Sequence, residues 1–238
     1  VEQVADVRLP SVDSLLVVQG DLNRLNAAVR TLSVPGLDFE TRQKQYEEIT
    51  SARESYVKAL EIYTELDHTK KEKEIWAEFQ PALAEWKASN IKLLDLHKRF
   101  DSNGIDDPAL LSGQFQRFAK DHFILVEKVV DMLYIKKQSF KGGDDDTACN
   151  FGKWIPTFRT TNKELLQILK DIDKPHHNFH EAIGEIKELH KRNRTEEAMT
   201  LYENKMVPSM EGVFEGFTKI QTVADDSYNL LNEINALM

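Results

Sequence analysis

Four side chains in this sequence could hold one soft metal ion between them: His122, Cys149, His176 and His180. Cys149 is the only cysteine in 238 residues. It opens the stretch Cys149-Asn150-Phe151-Gly152-Lys153-Trp154, and a Pro175-His176-His177-Asn178-Phe179-His180 run follows. His176 and His180 are four apart, so a helix places both imidazoles on one face, one turn from each other. A thiolate with imidazoles selects zinc over magnesium or calcium, which take oxygen ligands. Three nitrogens and one sulfur make a closed tetrahedral set of the structural kind, because a catalytic zinc keeps one position open. Each residue also has a plainer reading. A helical histidine such as His122 is commonly a hydrogen-bonded core residue, and a lone cysteine packs as a small hydrophobe. A histidine pair on a charged helix is commonly surface. His177 reads as the outward neighbour, with a 177/180 pairing as the alternative to 176/180.

The elements that must position these residues are helices. Leu15, Val18, Leu22, Leu25, Val29 and Leu32 recur at three- and four-residue steps, an apolar stripe that Ser11 or Asp13 opens. Val34-Pro35-Gly36 ends it, since the residue before proline avoids the α region. Asp38 caps a second helix, striped by Tyr46, Ile49, Ala52, Tyr56, Leu60 and Tyr63. Asp67-His68 breaks the pattern, and Thr69 with Glu72 forms a capping box. A third helix follows from Ile75 to Phe100, and Pro81 inside it should bend it. Asp101-Ser102-Asn103-Gly104 reads as a loop. Asp107-Pro108 opens a fourth helix, with proline where its missing N–H costs little. Its stripe carries His122 and runs to about residue 140. Gly142-Gly143-Asp144-Asp145-Asp146 then reads as a solvated turn. After the Cys149 stretch, a helix carries Leu165 to Leu189 with Pro175 inside its span. Thr195 or Asn193 caps the last helix, which runs from Ala198 to Ile234 with a kink at Pro208.

The fold expected is all-α: an elongated antiparallel bundle of about six helices, or two stacked four-helix bundles. An even count returns the last helix to the end where the first began, which brings the termini together. Residues 1–238 read as one helical domain, with parts at 11–105, 106–195 and 196–238. The patterns at both ends look cut from a longer chain.

Composition sets the outer limits. The chain is 41% hydrophobic and 30% charged, which suits a core under long solvated helices, and 10 Gly with 7 Pro leave little for a turn-rich β fold. The net charge of −9 argues against a nucleic-acid surface, which needs clustered Lys and Arg. No apolar run reaches the roughly 20 residues that span a bilayer. A single cysteine excludes an internal disulfide.

His122, the Cys149-x-Phe151-Gly152-x-Trp154 stretch and His176-x-x-x-His180 together resemble the chemoreceptor zinc-binding domain. Intervals of 26 residues separate His122 from Cys149 and Cys149 from His176. The resemblance covers about 115–195. It implies that His122, Cys149, His176 and His180 ligate zinc, that Gly152 permits close helix approach and that Trp154 packs beside the site. Ile124 departs from the pattern, where an aromatic or Leu usually follows the first histidine by two. Residues 11–100, with Tyr46, Arg53, the Thr69-to-Glu74 turn and Ile75-Trp76-Ala77-Glu78-Phe79, resemble the four-helix-bundle sensor region of methyl-accepting chemotaxis proteins. The final helix, with Ala198, Tyr202 and Pro208, is similar to the segment that those receptors run back to the membrane. Six helices at this length also resemble the helical bimodular sensor type.

These resemblances imply a signal-input domain, periplasmic, dimeric, and anchored through membrane helices outside this stretch. Zinc is the expected cofactor, with a small-molecule ligand and no nucleic acid as further partners. Zinc-binding domains of this type are most familiar in the cytoplasm, so an extracytoplasmic setting is a departure. A cytoplasmic zinc or oxidant sensor is one alternative reading. A small organic-anion sensor with purely structural zinc is another, with Arg24, Arg30, Arg42 and Arg53 as candidates for a carboxylate clamp. An enzyme is not expected. There is no nucleophile elbow or phosphate loop, and the Glu-x-x-His pairs of a di-iron bundle are not repeated.

Overall fold

The structure, a computed structural model, describes residues 3–237; the patterns at Val1, Glu2 and Met238 lie outside them. Among the described residues there is no strand. Six long helices carry the chain: α1 (Leu9–Leu32), α2 (Phe39–Glu65), α3 (Lys70–Ser102), α4 (Pro108–Val130), α6 (Lys163–Lys191) and α8 (Val207–Ala236). Two short ones, α5 (Asn150–Trp154) and α7 (Thr195–Leu201), are the other α-helices among the described residues. Wide π turns precede α1 at Val4–Arg8, follow α4 at Asp131–Ile135, and join α7 to α8 at Tyr202–Met206.

The helix starts follow from side-chain acceptors for the orphan amides of the first turn. Asp38 accepts from Thr41 N–H at 2.8 Å, Asp107 from Leu110 N–H at 2.8 Å, and Asn162 from Leu165 N–H at 2.9 Å. Thr69 and Glu72 form the reciprocal capping box, at 3.2 and 2.6 Å.

Several boundaries differ from the sequence reading. The first helix starts before Ser11, whose hydroxyl donates back to Val7 O at 2.7 Å and caps nothing. Proline at position 10 is tolerated because the first turn lacks intrahelical N–H partners anyway. The helix bearing His122 stops short of 140. Lys136 and Lys137 N–H both return to Asp131 O, and Lys137 adopts φ 59°. Asp101 and Ser102 form the last turn of α3, and the chain reverses only at Gly104, φ 64°. Neither Asn193 nor Thr195 caps the last helix. Asn193, φ 59°, is the left-handed residue that closes α6, where Arg194 N–H reaches Leu189 O at 3.0 Å. Pro208 falls in the first turn of α8, and the irregularity sits just before it, in the π turn.

By contact the chain divides into two compact units. The first comprises the described residues through Ser102 and from Leu230 onward; the second is Asn103–Asn229. The core of the first joins Val18, Leu25 and Leu32 of α1, Ile49, Ala52 and Tyr56 of α2, and Leu93, Leu96 and Phe100 of α3 to Leu231 and Ile234 of α8. The second unit holds two apolar clusters. One gathers Phe115, Phe118, Phe151, Ile172 and Phe217; the other gathers Val129, Met132, Phe179, Ile183, Ala198 and Met206. Each fully buried Phe removes enough apolar surface to contribute on the order of 2–3 kcal/mol. Two close approaches tighten this unit: a methyl on Gly216 would meet Ile172 at 2.1 Å, and one on Gly212 would meet Pro175 at 3.1 Å.

Candidate metal centre

His122 lies on α4 between Phe118 of one cluster and Val129 of the other. His176 and His180 lie on α6 between Ile172 and Ile183, on the same face as Phe179. Helical periodicity turns all three imidazoles inward; they are 1%, 3% and 1% exposed. Cys149 arrives differently. It stands at the cap position of α5, extended at ψ 162°, where Gly152 N–H donates to its Sγ at 3.1 Å.

One nitrogen from each histidine and the Cys149 sulfur all lie within 4.8 Å of one another. His180 Nε2 is 3.1 Å from His176 Nε2 and 3.4 Å from His122 Nε2; Cys149 Sγ is 3.2 Å from His176 Nε2. A tetrahedral zinc centre has bonds of about 2.0 Å to nitrogen and about 2.3 Å to sulfur, hence edges of about 3.3 Å between nitrogens and about 3.6 Å between nitrogen and sulfur. The donor set fits that ion in type, number and spacing.

The partners of the outer nitrogens set the direction of these donors. His122 Nδ1 is 2.7 Å from Phe118 O, and His180 Nδ1 is 2.8 Å from Gly143 O. A carbonyl only accepts, so each of these rings carries its proton on Nδ1 and turns a bare Nε2 lone pair inward. Two lone pairs 3.4 Å apart have no hydrogen to share. A cation between them would make such an arrangement favourable. This is the outer-shell device by which metal sites fix the ligating nitrogen.

Burial keeps the rings neutral, with one nitrogen of each left bare. It pulls His122 down to about 4. It pulls His176 down to about 3, with His180 and His122 adding repulsion. His180 is lowered by the same desolvation. Burial raises the Cys149 thiol. Around neutral pH the three imidazoles are therefore lone-pair donors, and the sulfur must release its proton to join them.

His177 does not join the cluster. It is exposed and faces Asp146 Oδ2 at 3.3 Å, and the pair that the cluster contains is 176/180. Trp154 stands one ring away from the site: it packs on Phe115, Phe118 and Phe158, while Phe151 touches the His122 and His176 rings. Gly152 has a different partner from the one expected. A methyl there would stand 1.9 Å from Asp146 O, so the glycine admits the 146–147 backbone rather than a helix.

The 142–146 segment is where sequence reasoning missed most. It is no bare solvated turn, because Gly143 orients His180 and Asp146 O lies 3.2 Å from Cys149 Sγ. Asn150 Nδ2 donates to Asp121 Oδ2 at 2.7 Å, which ties the cysteine-bearing turn to α4 beside His122. The double glycine was the one available signal. Of the arginines proposed for a clamp, Arg24 pairs with Asp21 and Glu48, and Arg42 pairs with Asp101. Arg30 lines a surface cavity with Asn26, Trp86 and Asn90.

Comparison with known proteins gives two family matches. Residues 122–187 match the chemoreceptor zinc-binding domain, and residues 1–107 match the four helix bundle sensory module for signal transduction. The first match begins on His122 and includes all four clustered residues. The second covers α1, α2 and α3. No characterised protein and no solved structure gives a significant match to the chain.

Proposed function

We propose that the chain is the signal-input region of a bacterial chemoreceptor and that it binds one zinc ion through His122, Cys149, His176 and His180. The observation that carries this reading is the convergence of three imidazole nitrogens and one thiol, two of the nitrogens deprotonated by fixed carbonyl partners, inside a match to a chemoreceptor zinc-binding domain. The match of residues 1–107 to a sensory bundle supports the receptor context. Bound there, zinc supplies a positive centre that four donors share, and it holds α4, α6 and the Cys149 turn together. Four protein ligands leave no open position for a substrate, which favours a sensing or structural role over an enzymatic one.

The receptor reading places this region outside the cytoplasm as a homodimer, anchored by membrane helices beyond residues 1–238. Among the described residues no helix is long and apolar enough to cross a membrane. A signal shifts such a bundle only by its differential affinity for two arrangements. A small organic anion bound in the first unit remains compatible with zinc as a staple. A second reading rests on Cys149, the one member of the cluster that is not fully buried. Its sulfur is the oxidisable ligand, and oxidation would remove it from the metal, which makes a cytoplasmic oxidant sensor the alternative.

Metal analysis of protein purified without a histidine tag tests the proposal. About one zinc per chain is expected, with Cys149→Ala and His180→Ala losing it. Protein that binds no zinc and shows no zinc-dependent change in melting temperature overturns it. Zinc release on treatment with hypochlorite or peroxide, reversed by thiol, selects the second reading.

A further inference from the structure

We propose that Lys187 is a positioning residue for the metal centre: it clamps the 140–144 segment so that the Gly143 carbonyl holds the His180 proton on Nδ1 and leaves Nε2 for the metal. The inference rests on the zinc reading above and deepens it.

Gly142 and Gly143 adopt φ 73° and 88°, a reversal that side-chain-bearing residues rarely make. This reversal aims Gly143 O at His180 Nδ1, 2.8 Å away. The segment has no helix or strand to hold it. Lys187 grips it on both sides of Gly143. Its ammonium donates to Gly142 O at 3.1 Å and to Asp144 Oδ1 at 3.1 Å, and it stands 5.3 Å from the centre of the Phe140 ring. Its side chain is only 15% exposed, while that of Asp144 is 47% exposed. Lys187 follows His180 by seven residues on α6, two turns along the same face. Ile183, between them, lies 3.7 Å from the position of a methyl built on Gly143. One helix face therefore presents both the ligand and the group that fixes the ligand's outer partner.

The chemistry makes this matter. A neutral imidazole carries one proton, and the hydrogen bond of one nitrogen decides which nitrogen can ligate. Without a fixed carbonyl at Nδ1 the proton is free to occupy Nε2, which closes that nitrogen to a cation. His122 has no such dependence, because its carbonyl partner, Phe118 O, is part of its own helix. His180 relies on a loop, and the loop relies on Lys187.

The test is Lys187→Met in the full chain, read in two ways. Nitrogen-15 NMR of zinc-free protein reports the His180 tautomer, and competition with a chromophoric chelator reports zinc affinity. The wild type should show the Nδ1–H form. The variant should populate the Nε2–H form at His180 and not at His122, and bind zinc about tenfold more weakly, the scale of lost outer-shell partners. Lys187→Arg should restore both. A variant that keeps the wild-type tautomer and the wild-type affinity overturns the proposal. Should Lys187→Met lower the helical circular dichroism, the same readouts on Asp144→Ala decide, with a smaller change in the same direction supporting the clamp and none overturning it. If the wild type takes up no zinc, the zinc reading fails, while the tautomer measurement still judges the clamp.

Discussion

Each unit of this molecule buries a cluster of polar side chains, and the two clusters are completed in opposite ways. In the first unit, Arg42 is 5% exposed and donates from Nη1 to Leu32 O at 2.8 Å. Its guanidinium pairs with Asp101, which also accepts from Tyr46 OH at 2.6 Å, and it lies over the Phe100 ring. Cation and anion are both supplied by the chain. In the second unit, His122, Cys149, His176 and His180 bring four donors of electron pairs together and no positive charge. A buried polar group stabilises a fold only when paired. The Arg42 cluster contains its own countercharge, so it reads as architecture. The histidine cluster has a place for a charge that no residue supplies, so it reads as a receptor for one.

The contrast predicts different responses to zinc. The largest effect is expected in the second unit: at free zinc a thousandfold above Kd, binding should stabilise the protein by about 4 kcal/mol, and His180→Ala should abolish the increment. Calorimetric melting with zinc and with chelator measures it. A zinc increment that survives His180→Ala breaks the comparison. Next, Arg42→Met should cost about 3 kcal/mol, since it leaves Asp101 and the Leu32 carbonyl without their cation, and added zinc should not recover the loss. Urea titrations with and without the metal give both numbers.

The smallest effect concerns His97, fully buried beside Ser33 and depressed to about 4 by burial and by the Arg42 charge. Its folded value lies below the unfolded 6.5, so the unfolded chain binds the extra proton between those limits. The stability contribution is whole above 6.5 and is lost as the pH falls toward 4. From pH 7 to pH 6 the loss should be about 0.7 kcal/mol, and His97→Gln should remove that part of the slope. The metal-site histidines titrate in the same direction, so the difference between wild type and His97→Gln isolates the first unit.

How far the sequence revealed these features depends on what kind of group carries them. The stripes of α1 to α4 were legible because Leu25, Ile49, Phe100 and Phe115 fall at the helical period and are buried, although Leu15 and Ile75 of the same stripes are exposed. The pair His176 and His180 was legible for the same reason, and Asp38, Thr69 and Asp107 announced their helices by type. The convergence on Cys149 was not written in any period, since that residue reaches the site from a turn. Its thiolate chemistry suggested it, and resemblance to a family strengthened the suggestion. The Gly143 and Asp146 carbonyls could not be read, because every residue has a carbonyl and only the backbone path aims it. The helix contact expected of Gly152 came from the resemblance, and nothing in its neighbours signals the loop that folds over it. The ends of α1 and α4 were misplaced where π turns, which have weak residue preferences, and a left-handed lysine, Lys137, decided the outcome.

The π turn at Tyr202–Met206 sets the alignment of everything on either side of it. Ala198 and Met206 are eight residues apart and both are buried in one cluster. In an uninterrupted α-helix eight residues leave two side chains about 80° out of line, whereas seven leave them about 20° apart. The wide turn absorbs the eighth residue. Reading frame and packing frame therefore differ by one position across it. Deleting a single residue within 202–206 should convert the run to plain α-helix with Ala198 still facing inward, whereas the same deletion within α8 should rotate Phe217, Ile220 and Ala224 away from their partners. The segment is the one place in the long final run where the chain can lose a letter and keep its register.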